Sequence, residues 1–283
     1  MGVFLVLLGG IFWAISGVLA EYLFKNNYSV DWICFYRLLS TGLILIFLSF
    51  KAQKILVFTN LKESLSICMF GFFGLLLTQF GYFKAIYYTD AGTATMIQYC
   101  APLIIMLYLC FKNKKFPKLI EIFALFLLAT KGDIEAVVLN YWGIFWAVIG
   151  AFGVAFYSLS AREVILKYGL FWIMGWASLF ASFVFLLILQ FDKGLIHYAF
   201  NLKAFFSMGG IVFIGTIGAF CLYLKGVEYI GALRASMIAS IEPVAAALMS
   251  FLFLKTRYSL LDIFAFVLII LSVILNAKKT KVS

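Results

Sequence analysis

The sequence predicts an all-α integral membrane protein: ten transmembrane helices, arranged as two five-helix repeats of inverted topology. Three observations predict it. The 283 residues are 65% hydrophobic and 12% charged, with a mean hydropathy of +1.10, against roughly 45–50% apolar and about 25% charged in a soluble domain. A core of this size cannot hide that much apolar surface, so the surplus faces lipid. The apolar runs are long and continuous, and the links between them are short. Finally, the stretch YFKAIYYTDAGTATMIQYCAP at 82–102 returns 141 positions later as YLKGVEYIGALRASMIASIEP at 223–243, with eight of twenty-one positions identical.

A spanning helix needs about 17–25 apolar residues, and in lipid only helices and closed barrels satisfy every backbone group. Barrel strands are alternating runs of about 9–11 residues, shorter than the runs seen here. The predicted spans are 2–24, 32–50, 64–88, 91–111, 118–131, 142–166, 170–190, 204–229, 231–254 and 259–276. The first has no basic leader, and its apolar run exceeds the roughly 7–15 residues of a signal core, so it reads as a retained helix. The fifth, between Lys118 and Lys131, is short for a span.

The offset of 141 links the spans pairwise. It joins the first to the sixth through Gly2/Gly143, Phe4/Phe145, Gly9/Gly150 and Ala14/Ala155. Asn60-Leu61-Lys62 matches Asn201-Leu202-Lys203 ahead of the third and eighth, which share Gly74/Gly215, Tyr82/Tyr223 and Lys84/Lys225. The fourth and ninth share Met96/Met237 and Pro102/Pro243, and the fifth and tenth share Glu121-Ile122-Phe123-Ala124 and Asp262-Ile263-Phe264-Ala265. One register without a gap divides the chain into 1–141 and 142–283. Five spans is an odd number, so the second unit enters the membrane from the opposite side, the arrangement many secondary transporters use for alternating access.

The net charge of +10 does not imply nucleic acid, because Lys and Arg sit in the short links, as orientation signals do. With a cytoplasmic N-terminus the inner links and tail hold fourteen of them, including Lys51, Lys54, Lys62, Lys112, Lys114, Lys115 and Lys118. The outer links hold seven. The imbalance favours both termini inside. Five scattered cysteines without metal-like spacing read as small buried hydrophobes, so neither a disulfide nor a metal is expected. The only histidine, His197, lies in a link with no motif around it. HExxH, Gly-x-Ser-x-Gly and phosphate-loop patterns are missing. The sequence therefore offers no catalytic residues, cofactor or nucleotide-driven pump; an uncoupled facilitator stays open beside a carrier.

The two repeated stretches, together with FYRLLSTGLIL at 35–45 and the ten-span layout, resemble the EamA-type branch of the drug/metabolite transporter superfamily over nearly the whole chain. Ile241-Glu242-Pro243 is the most specific part of the likeness. The resemblance implies a permease of the bacterial inner membrane, often an exporter of amino acids or other small metabolites, with a cavity between its halves. Cationic drugs and sugar-nucleotides are the alternative cargoes. Three features depart from the pattern: Ala101-Pro102 where Glu-Pro is expected, Lys255 where an acid is common, and the short fifth span.

Polar residues inside a bilayer are costly and usually face a cavity or a partner. Thr95, Tyr99 and Pro102 share one helix face, and Ser236, Ser240 and Pro243 form its repeat mate. Gln98 borders the first stripe. Each face ends on a helix-bending proline, as a cavity at the repeat interface would need; helix–helix adhesion by small polar residues is the bland alternative. Trp13 and Ser16 on the first span, Tyr157 on the sixth, and Gln79 and Tyr82 on the third are further candidates, for which packing and substrate contact fit equally. Glu242 is the most expensive residue in the spans. It could titrate, accept a substrate ammonium or relay a proton, or it could brace a neighbouring helix. At 100° per residue it lies about 120° from the Ser236/Ser240 stripe, which points it away from that face. Lys84 and Lys225 are expected to snorkel to the interface, and Arg37 to pair with Asp31 or reach the headgroups. The expected partners are thus a small-molecule substrate and membrane lipid, and no nucleic acid.

Overall fold

The computed structural model describes residues 1–49, 61–89, 91–114, 140–189 and 201–254, with Ile263, Val267, Ile270, Leu271 and Val273. All regular structure among them is helical. Helix α1 is Gly2–Lys25, α2 is Val30–Ser49 and α3 is Leu61–Tyr88. Helix α4 is in two pieces, Ala91–Gln98 and Ala101–Asn113. Then come α5 (Tyr141–Tyr168), α6 (Leu170–Leu189) and α7 (Leu202–Ile230). Helix α8 is again in two pieces, Ala232–Ala239 and Ile241–Leu254. Among the described residues seven helices are long and apolar enough to cross a membrane, and Ala101–Asn113 is a shorter apolar helix. The predicted span 118–131, most of 259–276, Lys255 and His197 lie outside the described residues.

Local chemistry sets the helix ends. Asn140 and Asn201 cap α5 and α7 by accepting from the amides of Trp142 (3.0 Å) and Ala204 (2.8 Å), satisfying donors that a helix start leaves free. The α5–α6 and α7–α8 turns each reverse on one glycine, Gly169 at φ 79° and Gly231 at φ 81°, a region a side chain disfavours. Helices α3 and α7 are not α-helical throughout. Phe70–Leu76 and Ile211–Gly218 are π-helical, and their first residues stand 141 apart. Such segments are rare and gather at functional sites.

Small residues let the helices approach closely, which is how membrane helices associate. A Cβ on Gly9 of α1 would stand 3.3 Å from the Tyr223 amide nitrogen of α7, and one on Gly150 of α5 would stand 3.3 Å from that of Tyr82 on α3. Gly215 sits against Ser16 and Gly74 against Tyr157. Thus α1 packs antiparallel on α7, and α5 on α3, through positions that all map onto one another at the 141 offset. Helices α2 and α6 pack on each other, Gly42 against Leu179 and Gly175 against Ile46.

Two buried apolar clusters result. One joins Val6, Leu45, Phe70, Tyr168, Trp172 and Val227 at the end where α1 starts. The other joins Leu23, Ile33, Phe83, Ala147, Phe185 and Ala204 at the opposite end. The outer surface carries exposed large apolar side chains, among them Phe47 (82%) and Phe111 (83%), a surface suited to lipid and not to water.

Candidate functional site

Proline shapes the centre of the bundle. Its ring removes one backbone donor and clashes with the carbonyl four residues earlier. Pro102 therefore breaks α4 after Gln98, and Pro243 breaks α8 after Ala239. At the second break Ser240 has ψ 0°, far from the helical value of about −42°. The Ala239 carbonyl released by Pro243 accepts from the Tyr99 hydroxyl, and that hydroxyl also lies 2.9 Å from Glu242 Oε2. Its single proton can serve only one of these acceptors at a time.

Around this junction, between the two apolar clusters, lies a cavity of about 560 Å³ of atom-free space, counting its open mouth. Described residues of both halves line it. Trp13 and Ser16 come from α1, Arg37 from α2, Thr78, Gln79 and Tyr82 from α3, and Gln98, Tyr99, Ala101 and Pro102 from α4. Val154 and Tyr157 come from α5, Phe220 and Tyr223 from α7, and Ser236, Ala239 and Glu242 from α8. Aromatic rings pack into one wall: Trp13 meets Phe220 edge-on at 5.1 Å and Tyr223 at 5.0 Å, and Tyr157 meets Tyr223 at 5.6 Å.

Eight of the ten residues predicted as cavity candidates therefore line one space: Trp13, Ser16, Gln79, Tyr82, Gln98, Tyr99, Tyr157 and Ser236. Thr95 and Ser240 are buried without lining it. Thr95 Oγ1 lies 2.9 Å from the Tyr82 hydroxyl and donates to the Ala91 carbonyl, and Ser240 donates to the Met237 carbonyl. Pro102 reaches the cavity wall and Pro243 does not. Glu242 corrects an expectation. The angular count pointed it away from the Ser236 face, but the count assumes an unbroken helix, and the kink at Ser240 re-aims it into the space Ser236 lines.

Arg37 corrects another. It does not pair with Asp31 or reach the headgroups: it is buried (2% exposed), its Nε donates to Thr216 Oγ1 at 3.1 Å, and its guanidinium carbon stands 4.3 Å over the Phe83 ring. Asp31 is bonded instead by Lys84 at 3.0 Å, so Lys84 is a tether between α3 and α2 where a snorkelling cation was expected. Lys225 bonds Glu228 at 2.7 Å. The sequence reading also missed Thr78, Val154, Phe220 and Tyr223. The repeat held a signal for three of them, since Tyr223, Val154 and Phe220 are the mates of Tyr82, Trp13 and Gln79.

Several polar atoms on the cavity wall are buried and have no partner among the described residues: both side-chain polar atoms of Gln79 and the hydroxyls of Ser16, Thr78 and Tyr157. Buried polar groups are nearly always hydrogen-bonded. Their convergence on one cavity fits a space meant to hold something polar. Among the described residues no group of His, Cys, Asp or Glu could hold a metal ion.

The profile of the EamA-like transporter family matches residues 1–130 and 141–277. The chain belongs to that family. It is 32% identical, over 97% of its own length and 94% of the relative's, to an "Uncharacterized inner membrane transporter YicL" of Salmonella typhimurium strain LT2. A solved structure described as "Crystal structure of protein" shares the fold with a TM-score of 0.73, covering 96% of each chain at 16% identity. Like other members of its family, the protein is a membrane transporter and not an enzyme.

Proposed function

We propose that this protein is a secondary carrier that moves a small metabolite, most readily an amino acid outward, by alternating access between inverted repeats 1–141 and 142–283. In this reading each repeat has five spans, with 118–131 and 259–276 completing the set, and both termini lie on the cytoplasmic side of a bacterial inner membrane. One observation carries the reading: residues of both halves line a single mid-depth cavity, and the contacts that close the halves on each other recur at the 141 offset. The double match of one family profile supports the same division. Two related halves of opposite orientation can exchange conformations, so an inward-open and an outward-open state are of similar energy.

The cavity suits a small amphipathic solute. Its walls are aromatic and its few polar groups converge, which is the usual make-up of a ligand site. Glu242 offers a coupling site, because its carboxyl can exchange a proton or a substrate ammonium while Tyr99 holds it. A cationic drug is the second reading, favoured by one acid among aromatic rings.

Counterflow in proteoliposomes tests the proposal. Vesicles holding the purified protein are loaded with one unlabelled solute and offered its labelled form, over a panel of amino acids, cationic drugs and a sugar-nucleotide. Amino-acid counterflow that saturates is the expected result. Downhill leak of several solutes without counterflow refutes a carrier and leaves a facilitator.

A further inference from the structure

We infer that Arg37 is the anion-binding residue of this cavity, so that the site takes a zwitterion with its carboxylate on Arg37 and its ammonium on Glu242. The zwitterion rests on the amino-acid reading above, while the anion role of Arg37 stands on its own geometry. Thr216 fixes one edge of the guanidinium, and Thr216 is itself held by donating to the Ile211 carbonyl at 2.8 Å in the π-helical segment of α7. Phe83 supports the flat face. Nε is thus occupied, and the four hydrogens on the two terminal nitrogens are bonded to nothing among the described residues.

Arg37 has no carboxylate partner among the described residues. Asp31, earlier on the same helix, is taken by Lys84. Glu242 lines the same cavity without forming an ion pair with it. A buried, uncompensated charge is expensive, and charged residues at membrane depth face cavities or partners. A guanidinium held by one edge presents a planar fork that matches a carboxylate with two parallel hydrogen bonds. The unpartnered amide of Gln79 and the hydroxyls of Thr78 and Ser16 stand ready on the same wall.

A fixed cation and a fixed acid, kept apart in one cavity, discriminate by charge pattern. A simple cation meets Arg37 and is repelled; a simple anion meets Glu242. A zwitterion satisfies both ends and lets its side chain rest on the rings of Trp13, Tyr157 and Phe220.

Three probes with one body separate the two ends: phenylalanine, 3-phenylpropionate, which lacks the ammonium, and 2-phenylethylamine, which lacks the carboxylate. Their binding to the purified full-length protein in detergent is measured by calorimetry for the native chain, Arg37→Gln and Arg37→Lys. The native protein is expected to bind phenylalanine most tightly. Arg37→Gln should weaken phenylalanine and 3-phenylpropionate by about tenfold or more, while 2-phenylethylamine, freed of the repelling charge, binds as tightly or more tightly. Arg37→Lys keeps the charge and loses the fork, so it should weaken 3-phenylpropionate less, and it carries the test if Arg37→Gln does not fold. Undiminished binding of 3-phenylpropionate by the variants overturns the inference. So does equal loss of all three probes, or a native protein that binds no 3-phenylpropionate. Arg37-dependent binding of 3-phenylpropionate in a protein that shows no amino-acid counterflow would sink the amino-acid reading and leave the anion site standing.

Discussion

Replacing Tyr99 by Phe removes one oxygen from the junction where α4 and α8 meet. Two acceptors depend on that hydroxyl: the Ala239 carbonyl, which Pro243 leaves without its helical donor, and Glu242 Oε2 at 2.9 Å. The ring stays, and the site is buried, so almost no apolar contact is lost. Because one phenolic proton serves one acceptor at a time, the variant strands one acceptor, a loss of about 1–3 kcal/mol. By the scaling of a 150–250-residue domain that corresponds to a melting temperature roughly 2–12 °C lower. The assay is thermal unfolding of the purified protein in detergent, followed by loss of the monodisperse peak. Tyr141→Phe, at an exposed tyrosine (89% exposed), serves as the control and should melt with the native chain. In the double variant Tyr99→Phe/Glu242→Gln the losses should not add, because the two residues share one bond. A Tyr99→Phe protein that melts with its control, or additive losses in the double variant, would refute the account of the junction.

Gly81→Ala should be strongly damaging. Its Cβ would stand 2.7 Å from both the Gly150 amide nitrogen and the Trp146 carbonyl oxygen, backbone atoms that move only if α3 leaves α5. A loss of about 1–3 kcal/mol or more follows, whereas Gly209→Ala, whose Cβ meets nothing within 4 Å, should be close to neutral in the same melting assay. Glu242→Gln should remove the pH dependence of flux while the protein stays folded. The carboxyl is the only acid on the described cavity wall, and it faces the phenols Tyr82, Tyr99, Tyr157 and Tyr223 and the always-charged Arg37. Full, pH-dependent flux in Glu242→Gln liposomes would make the residue structural and end the coupling idea.

Composition alone places the chain in a membrane, because its bulk apolar content admits no other solvent for its surface. The sequence also pointed to most of the described helices, since each spanning run must be long enough to satisfy its own backbone. The 141-residue echo pointed further, to the polar faces of α4 and α8 and to Gly9, Gly150, Tyr82 and Tyr223, which meet across α1–α7 and α3–α5. What it could not carry was direction at a break. Angular counting turns Glu242 from the Ser236 face, because it fails where proline releases a carbonyl and the helix restarts. Arg37 was given a nearby acid because pairing along one helix is all that spacing can see. Only tertiary structure brings Lys84 to Asp31, and Thr216 and Phe83 to Arg37, from positions up to 179 residues away. Periodicity is a property of one helix, whereas the partner of a buried charge is chosen by whichever helices pack beside it.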